Sequence, residues 1–200
     1  MVHPVFFEEI EVIKVIDPLS GLLGAFENGE YKFTYLDVVK SAGHSCPTVA
    51  GAYLVTLEAL KALYPDERAV RGNIKVEFNE PLEDGVTGVI SNVISQITGA
   101  TDKSGFKGLN GKFARHSLMN FNSDVTSSVR FSRVDNSKSV DVEYDPNSVM
   151  PDKKQAELMQ KMMQGTILKE ELQVFGMLWQ DRVKRIFEHK DNVIKITEIK

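Results

Sequence analysis

Along the first 150 residues the apolar positions change period several times, and each change marks an element. Residues 10–16 carry Ile10, Val12, Ile13, Val15 and Ile16, a short β-branched run stopped by Asp17-Pro18, which predicts a strand. Asn28-Gly29 is a turn signal, and the alternation of Tyr31, Phe33 and Tyr35 behind it predicts a second strand, paired with the first. Residues 36–40 read as a short helix leading into a loop at Gly43. From Pro47, the residues Val49, Ala52, Tyr53, Leu57, Leu60 and Leu63 follow helical spacing until Pro65 stops them. Gly51 and Ala52 are small enough to let a neighbour come close. Ile74, Val76 and Phe78 alternate with Lys75 and Glu77, the pattern of a strand with one buried face. Val86, Val89, Ile90, Val93, Ile94 and Ile97 form one broad helical stripe, with a strand as the alternative for part of it because of its β-branched content. Residues 125–134 and 139–144 predict a hairpin around Asp135-Asn136-Ser137-Lys138.

The pattern becomes helical after residues 146–152. Residues 155–164 and 167–187 predict two helices, the second with Leu168, Leu172, Phe175, Leu178, Trp179, Val183 and Ile186 on one stripe. Met159, Met162, Met163 and Met177 lie in the same segment, where core filling is the ordinary use of methionine and a partner-binding face the sharper one. Val193, Ile194, Ile196 and Ile199 suggest a final strand. The expected architecture is α+β: a mixed or antiparallel sheet packed on the long helix that starts at Pro47. Residues 1–150 form the core and residues 151–200 a helical extension that covers it or a dimer partner.

Composition narrows the class. Two hundred residues with 42% hydrophobic and 26% charged side chains suit one globular domain. A net charge of −4 gives no general affinity for nucleic acid. The single cysteine, Cys46, excludes an internal disulfide. The first residues lack a basic stretch before an apolar one, and no run approaches the ~18 apolar residues that span a bilayer. A cytoplasmic protein without a membrane partner is therefore expected.

The chemistry concentrates in Gly43-His44-Ser45-Cys46-Pro47. Proline suits the first helical position, because its missing N–H has no partner there anyway. Cys46 then sits near the helix start, where free N–H groups and the helix dipole favour a thiolate. A thiolate two residues from an imidazole suits a soft metal site, or a nucleophile, Cys46, with a base, His44. The bland alternative is a cysteine packed as a small hydrophobe. Of the other histidines, His3 and His189 lie in terminal positions, whereas His116 follows a stretch with glycines at 99, 105, 108 and 111. A loop of that length is a candidate lid over His44 and Cys46, and its Lys103, Lys107 and Lys112, with Arg115, suit a small anionic ligand. It matches neither the Walker nor the dinucleotide fingerprint.

Gly43-His44-Ser45-Cys46-Pro47 resembles the motif of the FmdE-like family of formylmethanofuran dehydrogenase components, His-Gly-His-x-Cys-Pro-Gly before a helix rich in small and apolar residues. Thr98-Gly99-Ala100-Thr101 resembles that family's Thr-Gly-Cys-Thr segment, Gly111-Lys112-Phe113-Ala114 its Gly-Lys-x-Ala step, and residues 178–183 the carboxy-terminal helix of some members. The likeness spans about residues 35 to 187. It implies an α+β core, a homodimer, and a divalent transition metal, often zinc, near the His-x-Cys loop. The chain departs from the pattern at Ala42, Thr48 and Ala100, which replace a histidine, a glycine and a cysteine, and it lacks cysteines for the zinc finger some members carry. On this reading the metal ligands are His44, Cys46 and a substitute, His116, with Lys112 and Arg115 holding a cofactor. The alternatives are an enzyme with Cys46 as nucleophile and His44 as base, and an accessory protein docking on a larger redox complex.

Overall fold

The computed structural model describes residues 3–199. Strand β1 (Ile13–Ile16) ends where Asp17-Pro18 interrupts the apolar run. Asp17 becomes the cap of a short helix, α1 (Pro18–Leu22), its Oδ1 accepting from the N–H groups of Leu19 and Ser20 at 3.0 and 3.3 Å. Strand β2 (Glu30–Phe33) runs back antiparallel, pairing Ile13 with Phe33 and Val15 with Tyr31. Thr34 and Asp37 form a capping box that starts helix α2 (Tyr35–Ala42), and Gly43 ends it at a φ of 78°, a left-handed position that glycine adopts without strain. Helix α3 (Pro47–Leu63) has Cys46 as its cap and stops before Tyr64, because Pro65 disfavours helical backbone in the residue preceding it.

Strands β3 (Ala69–Val70) and β4 (Ile74–Phe78) follow, then helix α4 (Thr87–Thr98), which settles the 86–97 stripe as helical. Strand β5 (Met119–Asn120) precedes the expected hairpin, β6 (Val129–Arg133) and β7 (Ser139–Tyr144). The chain closes with helices α5 (Lys153–Met163), α6 (Lys169–Glu188) and α7 (Lys190–Val193) and strand β8 (Ile194–Ile199). The fold is α+β, but with two mixed sheets where one was expected. The order is β2-β1-β3 in the smaller and β5-β4-β6-β7-β8 in the larger. No helix among the described residues is long and apolar enough to cross a membrane.

The core gathers around α3, which packs against β7, α4, α6 and α2. At Gly51 the ring of Tyr144 lies so close that a Cβ would come within 2.2 Å of it, so the small residue admits an aromatic ring. The Tyr144 hydroxyl donates to the Pro47 carbonyl at 2.7 Å. On another side the Tyr53 hydroxyl reaches the carbonyls of Glu11 and Phe33 at 2.7 and 3.1 Å, fastening α3 to the smaller sheet. Tyr35, Tyr53, Phe187 and Phe7 stack edge-on between these layers, with ring centroids 4.8 to 5.6 Å apart for Tyr35 and its neighbours.

The expected final strand forms: β8 pairs with β7 along six positions, Ser139 with Ile199 through Tyr144 with Ile194. The apolar stripe of α6, by contrast, is not buried throughout. Val183 and Ile186 are fully buried and Trp179 and Phe187 pack on the core, whereas Leu172 is 46% exposed and Leu168 more so. The first half of α6 instead pairs with α5, whose Leu158 is fully buried. The stripe is continuous in sequence, but the core ends at its midpoint.

This division predicts unequal costs for equal truncations. Ile186→Ala should lower the unfolding free energy by ~2–5 kcal/mol, the usual range for emptying a buried aliphatic site. Leu172→Ala should stay within about 0.5 kcal/mol, as surface changes do. Urea unfolding of both variants measures the contrast, and equal losses would show that the first half of α6 is covered in solution.

Candidate functional site

The His44-Ser45-Cys46 loop connects α2 to α3, between a left-handed glycine and a helix-starting proline. His44 is exposed, and its Nδ1 lies 3.0 Å from the carbonyl oxygen of Ala42. A ring held this way donates from Nδ1 and leaves Nε2 as its free acceptor, the usual arrangement of a histidine that binds a metal. His44 also lines a surface groove of about 460 Å³, whose opposite wall is α4 at Val89, Asn92, Val93 and Gln96. Cys46 is half-buried against the core and does not line that groove. Its Sγ accepts from the Val49 N–H at 3.4 Å, so the thiol is the side-chain cap of α3. The bland reading of Cys46 thus holds in part: it packs, and it also caps.

Ser45, the residue between them, has the densest polar contacts in the loop. Its carbonyl accepts from Trp179 Nε1 at 3.0 Å and from Gln180 Nε2 at 3.1 Å. Its hydroxyl donates to Gln180 Oε1 and accepts from the Tyr35 hydroxyl, both at 2.9 Å. Burial pushes the Tyr35 hydroxyl well above the ordinary tyrosine range, which keeps it a donor. The loop is therefore clamped by α2 beneath and by α6 above. Sequence patterns did not reveal the clamp; Trp179 reads as part of the apolar stripe and Gln180 only as a residue of the same predicted helix.

The glycine-rich segment does not assemble with the loop as expected. Its hydrogen bonds close on itself: Thr101 N–H to the Arg115 carbonyl, Arg115 and His116 N–H groups to Phe106, and Leu109 against Lys112. Among the described residues no hydrogen bond or ion pair joins residues 99–116 to residues 43–47. The Nδ1 of His116 pairs with the Ser117 hydroxyl at 3.0 Å. Among the described residues, no three or more His, Cys, Asp or Glu side chains are grouped to hold a metal ion, so His44, Cys46 and His116 do not form a three-donor set. Ala100, where the resemblance expects a cysteine, is fully buried. Lys112 is exposed.

Arg115 corrects its expected role as an anion ligand. It is only 7% exposed, and its Nη2 donates to Asp17 Oδ1 at 2.5 Å. Arg71 reaches the other carboxylate oxygen at 2.8 Å, bonds the Tyr31 hydroxyl at 2.8 Å, and caps the end of α4 through the carbonyls of Gln96 and Ile97. Gly72 and Gly99 leave the space in which the Arg115 guanidinium lies; a Cβ on Gly72 would come within 2.0 Å of it. This buried triad ties β1, the β3–β4 turn and the glycine-rich segment together. The Asp-Pro signal showed where β1 ends but not that its aspartate carries two guanidinium groups. No protein-family model matches the chain, and comparison with curated proteins finds no match.

Burial pushes the Asp17 carboxyl up, but Arg115, the Ser20 N–H and Arg71 together outweigh it and hold it below the ordinary range. A carboxylate depressed in the folded state contributes stability above its unfolded value of about 3.9 and loses it as pH falls through the folded value. The wild type should therefore lose stability on acidification below about pH 4 through this group. Asp17→Asn should lack that component and should cost ~3–5 kcal/mol at neutral pH, because it leaves Arg115 buried without its counter-charge. Denaturant unfolding of both proteins across pH tests the pair.

Proposed function

We propose that the protein binds a transition metal or a small metal-bearing cofactor at the His44-Ser45-Cys46 loop, and that it is a divergent relative of the FmdE-like proteins. The observation that supports this best is the state of His44: exposed on a groove, its Nδ1 engaged by the Ala42 carbonyl, its Nε2 available. Imidazole and thiol donors favour zinc or another late metal over magnesium or calcium. His44 and Cys46 lie two residues apart in one loop, and among the described residues no group of three or more such donors occurs, so a bound metal would take its remaining ligands from water, a small molecule or a second copy. Catalysis with Cys46 as nucleophile has weaker support, since His44 engages Ala42 and the Cys46 sulfur engages Val49. A second reading, docking on a larger complex or a second copy, draws on the exposed apolar side chains of the α5–α6 hairpin, among them Met163 at 82% and Met177 at 65% exposure. A cytoplasmic location belongs to the same proposal.

Titration of the metal-free protein with cobalt(II) tests the metal reading. Binding through both donors predicts a thiolate-to-cobalt charge-transfer band with one-to-one stoichiometry. Cys46→Ser should abolish the band and His44→Ala should weaken binding by about tenfold or more, as losing even an outer-shell partner does. No band in the wild type, or equal affinity in all three proteins, would remove metal from the site and leave the docking reading.

A further inference from the structure

A cavity of about 210 Å³ opens beside the first turn of α3, apart from the groove at His44. Its floor is made by buried apolar side chains, Val55, Phe78, Val129 and Val142. Its mouth is polar: Glu80 and Ser128 are exposed, and Thr87 begins α4 at the rim. No lysine, arginine or histidine lines it; Glu80 is its one charged lining residue. The Glu80 Oε2 accepts from the Thr87 hydroxyl at 2.7 Å, which fixes the carboxylate at the mouth. Among the described residues no cation pairs with Glu80, and its other oxygen accepts no hydrogen bond from the protein. Arg182 approaches Pro146 on the cavity wall, but its guanidinium is committed to the carbonyls of Pro146 and Val149.

We infer that this cavity binds a small amphipathic amine, its alkyl part on the Val55, Phe78, Val129 and Val142 floor and its ammonium group on Glu80. The chemistry follows from the lining. An apolar floor under a single ionised group selects a short hydrocarbon with one charged end. The charge must be positive, because a carboxylate entering a cavity with no cation would meet Glu80 unscreened by any counter-charge. The free oxygen of Glu80 and the Ser128 hydroxyl supply acceptors for an ammonium, which has three donors and no acceptor. The volume, about seven waters' worth at roughly 30 Å³ each, limits the ligand to a compact chain or ring. This site is independent of the metal reading, since His44 and Cys46 do not line it.

The test uses the intact protein with isotope-labelled methyl groups and three probes of matched length: pentylamine, 1-pentanol and pentanoate. Pentylamine should shift the Val129, Val142 and Ile90 methyl resonances at the lowest concentration, 1-pentanol roughly tenfold higher, in line with a hydrogen bond to a charged group, and pentanoate not at all. Glu80→Gln keeps an acceptor for Thr87 and should bring pentylamine down to the level of 1-pentanol without changing 1-pentanol. Ile90→Phe, which fills the cavity from a half-buried position, should abolish the shifts by both. A circular dichroism spectrum and melting curve like those of the wild type would confirm that each variant is folded. Equal binding of amine and alcohol, a preference for pentanoate, an amine preference that survives Glu80→Gln, or no methyl shifts with any probe would overturn the inference.

Discussion

Twelve of the seventeen residues of α3 are buried, so the helix has almost no face left for water and each of its neighbours covers one side of it. A helix that is apolar all round is stable only inside a layered structure. The five-stranded sheet covers it through Tyr144 over Gly51, α4 through its Val93–Ile97 face, the smaller sheet through the Tyr53 hydroxyl, and α6 through Trp179, Val183 and Ile186. Burying each such side chain is worth roughly 1.5–3 kcal/mol, against about 0.5–1.5 kcal/mol for a hydrogen bond between neutral groups. The same constraint explains why α6 leaves the core halfway: past the end of α3 its first half pairs with α5, and Leu168 and Leu172 stay exposed.

The two ends of α3 are held by different means, and both concern its exposed backbone groups. At the start, the Cys46 sulfur takes the Val49 N–H, and Pro47 has no N–H to satisfy. At the end, Arg133 donates to the Leu63 carbonyl at 3.2 Å and lies 4.1 Å from the centre of the Tyr64 ring, while ion pairs to Glu67 and Asp135 hold the guanidinium in place. The hairpin β6–β7 therefore grips α3 twice, with Arg133 at one end and Tyr144 near the other.

Most of the fold was legible in the sequence because period-2 and period-3.6 patterns are local. The strand at 74–78, the helix from Pro47 and the 129–144 hairpin all follow from residues within a few positions of one another. Strands β3 and β5 are two residues long and have no period to read. The polar links were illegible for another reason. Asp17 meets Arg71 and Arg115 across 54 and 98 residues, and Ser45 meets Trp179 and Gln180 across 134 and 135. Such pairings depend on how finished elements pack, and nothing periodic announces them. In the His-Ser-Cys tripeptide the conspicuous residues are the histidine and the cysteine, yet the serine makes the contacts. Arg115 misled for a related reason: a basic residue beside a glycine-rich loop suggests an open ligand site, and the glycines in fact make room for its own side chain.

The Ser45 clamp also bears on what the loop can do. Four hydrogen bonds converge on one residue, two at its carbonyl and two at its hydroxyl, while the imidazole next to it stays exposed. The backbone that carries His44 is thus fixed between α2 and α6, while among the described residues the ring's own hydrogen bond is to the Ala42 carbonyl. A ligand at His44 would meet a side chain whose backbone is already ordered, which removes much of the entropic cost of assembling a site. The arrangement has a second consequence. Trp179 and Gln180 lie at the point of α6 where the buried half gives way to the exposed half. A partner that covered Leu172 and Met177 would bear on the helix within two turns of the residues that hold Ser45. The motif loop and the exposed hairpin are therefore joined through a single helix, and the two readings of the protein, a ligand at His44 and a partner on α6, concern two ends of one mechanical connection.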